Sequence, residues 1–221
     1  MQIFRRSLLV AAAFGIMAAA DGQAQTIGFK LGPSFSTIST DEPDISFSTL
    51  TKFTGGGFMR FGMGGLAIQP ELMYVTKGGK MSETFEGETF DAELRLDYIE
   101  IPVLLVLPIG PGIGIAPYVY AGPAFAFEAG CTVAFSTAGF DGSVDCDEGD
   151  NEPGELSTDR RKFDIGAMVG GGLSFPMGPG ALLVEGRYNF GLMNLNTSTE
   201  GNSVKNRSGA ALVGYSIPIG R

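Results

Sequence analysis

The residues able to do chemistry are few and isolated. Glu71 stands in "LAIQPELMYVTKGGK" (66–80), Glu100 in "LDYIEIPVLLVLP" (96–108) and Glu185 in "LLVEGRYNFGL" (182–192), each among apolar side chains, and Asp164 opens another apolar run. Lys30, Arg60 and Arg187 occupy comparable settings. A carboxylate pair such as Glu71 with Glu185 has the groups for acid–base work. Beside Arg187 it is more simply a structural ion pair, because buried charges are tolerated only when paired and hydrogen-bonded. The chain contains no histidine, which removes the commonest general base, and no catalytic residue is expected.

Cys131 and Cys146 are the only cysteines. With no histidine to complete a two-cysteine metal site, a disulfide is expected for an exported chain, with two free thiols as the alternative. Between and beyond them runs "DGSVDCDEGDNEPGELSTD" (141–159), dense in carboxylates. Clustered carboxylates suit hard cations, but counting Asp145 as first, the sixth position is Asp150 rather than Gly and the twelfth is Leu156 rather than Glu, so the calcium-loop pattern fails. A solvated acidic loop is expected, without a bound metal. "GPGIGIAP" and "GGGLSF" are glycine-rich, but no helix follows them, so they lack the amides and dipole of a phosphate cradle. No cofactor is expected.

The elements that must position these residues are strands. Residues 1–24 carry Arg5 and Arg6, an uncharged run and small residues at Gly22 and Ala24, the features of a cleaved signal peptide. The remainder, 25–221, is expected to be one domain. Losing the leader takes the net charge from −9 to −10, which disfavours nucleic acid as a partner. Glycine is 34 of 221 residues, about twice the usual ~7%, and recurs within apolar segments, which disfavours long helices. Alternation of polar and apolar residues marks eight strands, near 26–38, 47–61, 66–80, 90–107, 115–128, 162–175, 181–194 and 204–219.

The connections alternate in length. "GMGG" (62–65), "PIGPGIG" (108–114) and "PMGPG" (176–180) are short turns, whereas 39–46, 81–89, 129–161 and 195–203 are longer and polar. Short turns at one end and long loops at the other describe an all-β, eight-stranded, antiparallel up-and-down transmembrane β-barrel. Strand faces agree: Ile68, Leu72 and Tyr74 oppose Gln69 and Glu71; Val184, Tyr188 and Phe190 oppose Glu185, Arg187 and Asn189; Phe29, Leu31 and Phe35 oppose Lys30 and Ser34. Gly28, Gly32, Gly122, Gly170, Gly172 and Gly191 share the polar face, which suits a crowded interior rather than a solvated one. Lys30, Arg60 and Arg187 are expected to pair there with Glu71, Glu100, Asp164 and Glu185. Pro33, Pro70, Pro102, Pro117 and Pro123 fall inside these strands, where each removes a ladder hydrogen bond.

"IGFKLGPSFST" (27–37), "LAIQPELMYVTKGGK", "LDYIEIPVLLVLP", "APYVYAGPAFAF" (116–127), "LLVEGRYNFGLMNL" (182–195) and "VKNRSGAALVGYSI" (204–217) together resemble the PorT-like outer-membrane β-barrel family. The resemblance covers nearly the whole chain after the leader, and its most specific part is "QPELMY", "YIEIP" and "EGRYNFGL" in that order. It implies a bacterial outer-membrane barrel with a filled polar interior, termini and short turns in the periplasm, long loops outside, and contact with membrane lipid and the barrel-assembly machinery. It implies no single activity. The enzymes known among small barrels typically use histidine, so the expected function is non-enzymatic: structural, adhesive or docking work by the loops on envelope or extracellular proteins. A soluble exported barrel binding an apolar ligand and a component of a secretion apparatus are the alternatives.

Overall fold

The computed structural model describes residues 25–40, 48–85, 88–110, 114–137, 140–146, 161–194 and 204–219. They form nine strands: β1 (Gln25–Thr40), β2 (Leu50–Met63), β3 (Leu66–Phe85), β4 (Glu88–Pro108), β5 (Ala116–Thr137), β6 (Phe140–Asp145), β7 (Phe163–Met177), β8 (Gly180–Gly191) and β9 (Val204–Ile219). Each ring strand pairs antiparallel with its sequence neighbours apart from the β5–β7 step, and β1–β9 and β4–β5 contacts complete the circle. Eight strands close the ring, and β6 stands outside it. The leader and most of the acidic stretch, 147–160, lie outside the described residues.

One end of the ring carries tight turns. Gly64 and Gly65 between β2 and β3, and Gly178 between β7 and β8, have φ of 58°, 99° and 60°, a region that glycine enters without Cβ strain. Gln25 and Ile219 pair at this same turn end. At the opposite, loop end, β3, β4 and β5 run well beyond the strand ends expected from the sequence. The expected loop 81–89 is largely strand, and the expected loop 129–161 begins as the upper part of β5 and returns as β6. Polar residues along these segments hid the pairing, because backbone bonds need no apolar side chains once both faces meet water. The β4–β5 register shifts between Asp97 and Tyr98, where Gly130 and Glu128 are their partners and Ala129 is left over. This bulge bends β5; above it β6 replaces β7 as the second neighbour.

Four of the five prolines fall where the ladder skips, whereas Pro117 stays paired with Leu173 at the start of β5. In an antiparallel pair each N–H serves one neighbour only, so a proline forfeits a bond on one side. Pairing of β1 with β9 lapses between Leu31 and Ser34 around Pro33, yet Pro33 remains opposite Phe53 of β2. Pro70 marks the lapse between β2 and β3 while staying opposite Val103 of β4. Pro102 and Pro123 mark matching lapses in β3–β4 and β4–β5. Glycine accompanies two of them: a Cβ on Gly32 would lie 2.0 Å from the Ala211 carbonyl oxygen, and one on Gly122 2.0 Å from that of Val103. The backbone bends closely enough there that only glycine fits.

Outside, the ring is apolar. Phe29, Leu31, Phe35, Phe53, Ile68, Leu72, Tyr74, Ile101, Leu105, Val119, Val169, Val184, Phe190 and Val213 are all exposed. On β4 the outward run Ile99, Ile101, Val103, Leu105, Leu107 supplies the lower end of the ~9–11 residues that a tilted strand needs to cross a bilayer. Uninterrupted exposure of this kind is far beyond the patch a water-soluble surface carries; it is a lipid-facing belt.

Candidate functional site

The interior is filled by side chains. At the turn end Phe58, Ala67, Leu104, Val106, Tyr118, Tyr120, Ala124, Met168 and Leu183 form one buried cluster. At the loop end Leu96, Tyr98, Ala126, Cys131 and Cys146 form another, with Leu94, Val133 and Val204 packed on it. Ionised side chains are interleaved with both clusters. An eight-stranded ring is just wide enough for side chains to fill, and here they do.

Lys30 Nζ donates to Glu71 Oε1 at 2.9 Å and to Glu185 Oε2 at 2.7 Å, and Arg187 Nη1 donates to Glu71 Oε2 at 2.9 Å. Tyr118 and Tyr120 hydroxyls donate to Glu185 at 2.7 and 3.1 Å. Gln69 Nε2 donates to Glu71 at 2.7 Å and its Oε1 accepts from Arg60 Nε at 2.6 Å. Lys30 also sits 4.7 Å from the Phe58 ring centroid, and Arg60 5.0 Å from that of Tyr118, distances at which a ring face attracts a cation. Interior glycines make room for these rings. A Cβ on Gly170 would lie 2.7 Å from the Tyr120 ring, and one on Gly172 3.0 Å from the Tyr118 hydroxyl.

A second group lies nearer the loop end. Lys77 Nζ is 2.6 Å from Glu100 Oε2 and 4.0 Å from Asp164 Oδ2. Asn189 Nδ2 donates to Glu100 Oε2 at 3.0 Å, and Asn206 Nδ2 to Asp164 Oδ2 at 3.1 Å. All seven charged residues named from the sequence therefore point inward, but in two groups: Lys30, Arg60, Glu71, Glu185 and Arg187 in one, Glu100 and Asp164 in the other. Lys77 was missing from that set. Its neighbours Gly78, Gly79 and Lys80 look like a strand end; the signal for including it is that position 77 continues the inward phase of Gln69, Glu71 and Met73.

Above the ring, Glu93 receives Lys52 Nζ at 2.7 Å, Lys80 Nζ at 3.2 Å and Arg95 Nε. Burial opposes ionisation of Glu93, but hydrogen bonds from Lys52, Arg95 and Lys80 outweigh it and hold the carboxyl at about 2. Lys80, Asp91, Glu93, Arg95, Ser136 and Asp141 line an open cavity of about 420 Å³ between the β3–β4 and β5–β6 extensions. Cys131 and Cys146 are joined in a disulfide and sit directly opposite, with the Cys146 amide donating to the Cys131 carbonyl at 3.1 Å. The bridge fastens β6 to β5.

A closed eight-stranded ring with an apolar outer belt, a salt-bridged interior and a loop-end extension defines a small outer-membrane β-barrel. The outer membrane protein beta-barrel domain family matches residues 23–196, and the chain belongs to that family, a component of the bacterial outer membrane. No curated protein matches it significantly. Among solved structures it is similar to Neisserial surface protein A (NspA), at 16% identity and a TM-score of 0.49, covering 86% of this chain and 96% of that one. It is also similar to Ail, the attachment invasion locus protein of Yersinia pestis, at 13% identity and a TM-score of 0.42, covering 87% and 98%. The outer membrane protease OmpT of Escherichia coli follows at 11% identity and a TM-score of 0.38, covering 91% and 98%.

Proposed function

We propose that the chain is a non-enzymatic outer-membrane barrel whose ring is an anchor and whose loop end does the work, as a docking or adhesive surface for envelope or extracellular proteins. One observation carries this reading: buried apolar side chains and the salt-bridged charges interleaved with them fill the ring. A filled ring offers no route for solute. The polar surface with relief is then the β3–β6 extension, with its open cavity and its hairpin held by a disulfide. In this reading the termini and turn end face the periplasm and the loop end faces outward, residues 1–24 are a signal peptide removed from a 25–221 barrel, and the barrel-assembly machinery inserts the ring. PorT-like membership within the family is part of the same proposal. It is supported by the fact that "QPELMY", "YIEIP" and "EGRYNFGL" supply Gln69, Glu71, Glu100, Glu185, Arg187 and Asn189 to the interior network.

Fractionation of expressing cells combined with protease treatment of intact cells tests the reading. The protein is expected in the outer-membrane fraction, cut at the loop end and protected elsewhere, and reconstituted protein is expected to give no steady ohmic conductance in planar bilayers. Protection of the loop end in intact cells, or a stable conductance, would overturn it.

A further inference from the structure

The outer wall of the ring is uneven in charge at its loop end. Alternation along β9 turns Asn206 and Ser208 inward, where both are buried, and so places Lys205, Arg207 and Gly209 on the outer face. Arg207 is exposed and Lys205 half-buried. Among the described residues neither side chain has an ion-pair or hydrogen-bond partner, whereas Lys52, Lys80 and Arg95 are all held by Glu93. The adjoining strands offer no carboxylate on this face: β1 and β9 contain none, and Glu185, the one in β8, points inward to Lys30. In a chain of net charge −9, this stretch of wall is locally basic.

The same stretch marks the upper edge of the apolar belt. Arg207 lies directly opposite Phe190 of β8 and Thr37 of β1, and two residues lower Gly209 lies opposite Tyr188 and Phe35. Phe190 and Phe35 are 43% and 44% exposed, and the Tyr188 and Phe190 rings meet edge to face with centroids 4.5 Å apart. Toward the loops the outer face of β1 and β9 continues as Thr37, Ser39 and Lys205. Aromatic rings just inside the belt with cations just beyond them match the boundary between acyl chains and headgroups. Two residues apart on one strand face, Lys205 and Arg207 have Cα atoms about 7 Å apart, so two side chains of this length can close on one phosphate.

We infer that Lys205 and Arg207 form a binding site for the phosphate of an anionic lipid in the loop-end leaflet, with its acyl chains against Phe35, Tyr188 and Phe190. The guanidinium takes two phosphate oxygens through paired N–H donors, and the ammonium adds a point charge. A lipid is the occupant because the cations stand on the aromatic edge of the belt, where acyl chains already hold a headgroup at high local concentration. The site is separate from the β3–β6 extension and does not depend on what that extension docks.

The test measures, by native mass spectrometry, the lipid retained by the full protein in neutral detergent on titration with phosphatidic acid or with phosphatidylcholine of the same chains. Phosphatidic acid is expected to be retained at the lower concentration. At about a factor of five per cation near a membrane surface, Arg207→Gln or Lys205→Gln is expected to weaken its retention ~5-fold and the double variant ~30-fold. Lys80→Gln, elsewhere at the loop end, is expected to leave retention unchanged. Heat-modified mobility like the parent's shows that each ring has folded. Equal retention of the two lipids, parent-like retention by the double variant, an equal loss in Lys80→Gln, or displacement of phosphatidic acid by millimolar inorganic phosphate would overturn the assignment.

Discussion

Replacing Glu71 by leucine tests whether the middle of the ring is a connected electrostatic unit. Glu71 takes three donors on two oxygens: Lys30 and Gln69 on Oε1 and Arg187 on Oε2. Lys30 keeps Glu185 at 2.7 Å after the change. Arg187 loses the carboxylate it directly contacts, and Gln69 loses an acceptor. Stranding one partner of a buried pair costs ~3–5 kcal/mol, and the unpaired amide of Gln69 adds roughly 1 kcal/mol or more. The leucine recovers part of this by filling apolar volume, which leaves a net loss of about 3–5 kcal/mol. Arg187→Met alone leaves Glu71 with Lys30 and Gln69 and is expected to cost less. The double variant removes both ends of the pair and is expected to be more stable than the sum of the singles predicts, by ~1–3 kcal/mol. Urea unfolding in detergent, followed by the mobility difference between unboiled and boiled samples, measures all four corners. An unchanged midpoint for Glu71→Leu, or a cycle that closes additively, would refute a coupled interior.

Other changes probe separate parts. Gly122→Val places side-chain atoms where the Val103 carbonyl already lies, 2.0 Å from the Cβ position; it is expected to cost several kcal/mol, beyond the ~1–3 kcal/mol typical of overpacking, read as loss of the heat-modified band. Reducing Cys131–Cys146, which closes a separation of 15 residues, is expected to remove ~3 kcal/mol in the chain-entropy account. The loss should appear as faster proteolysis of the β5–β6 hairpin, with the ring still heat-modifiable. Glu93 is held at about 2 in the fold against 4.5 as a free group. Its contribution is therefore complete above pH ~4.5 and disappears as pH falls toward 2, worth about 1 kcal/mol once solvent screening of its partly exposed partners is allowed for. Hydrogen exchange across β3–β4 above the ring is expected to speed up through that interval in the parent protein and to be flat with pH in Glu93→Gln.

The strand faces were legible because alternation has a period of two and a barrel reverses its usual sense. Glu71 against Leu72, or Arg187 against Tyr188, fixes a whole strand once one residue is placed. The ion-pair partners were less legible, because alternation gives the face and says nothing of height. Glu100 and Asp164 share an inward direction with Glu71, yet the stagger of the strands lifts them to a different level, beside Lys77. Tyr118 and Tyr120 escaped for another reason: inward aromatics read as packing until interior glycines such as Gly170 and Gly172 show that their hydroxyls reach Glu185.

The extension above the ring was hidden because its pairing is written in backbone bonds. β6 has no apolar alternation to set it apart from the acidic stretch that follows. A signal was present in the cysteines, which are equidistant from residues 138–139, as two partners in a hairpin centred there must be. The cross-link and the bulge at Ala129 together explain why β6 exists: the bulge turns β5 away from β7, and a freed strand edge needs a partner. The prolines follow similar logic. Pro70, between inward Gln69 and Glu71, keeps its place opposite Val103 and gives up only the bond toward β2. The cost is one hydrogen bond at each lapse, and at Gly32 and Gly122, beside Pro33 and Pro123, the neighbouring backbone comes too close for a Cβ, so glycine and proline together mark two of those places.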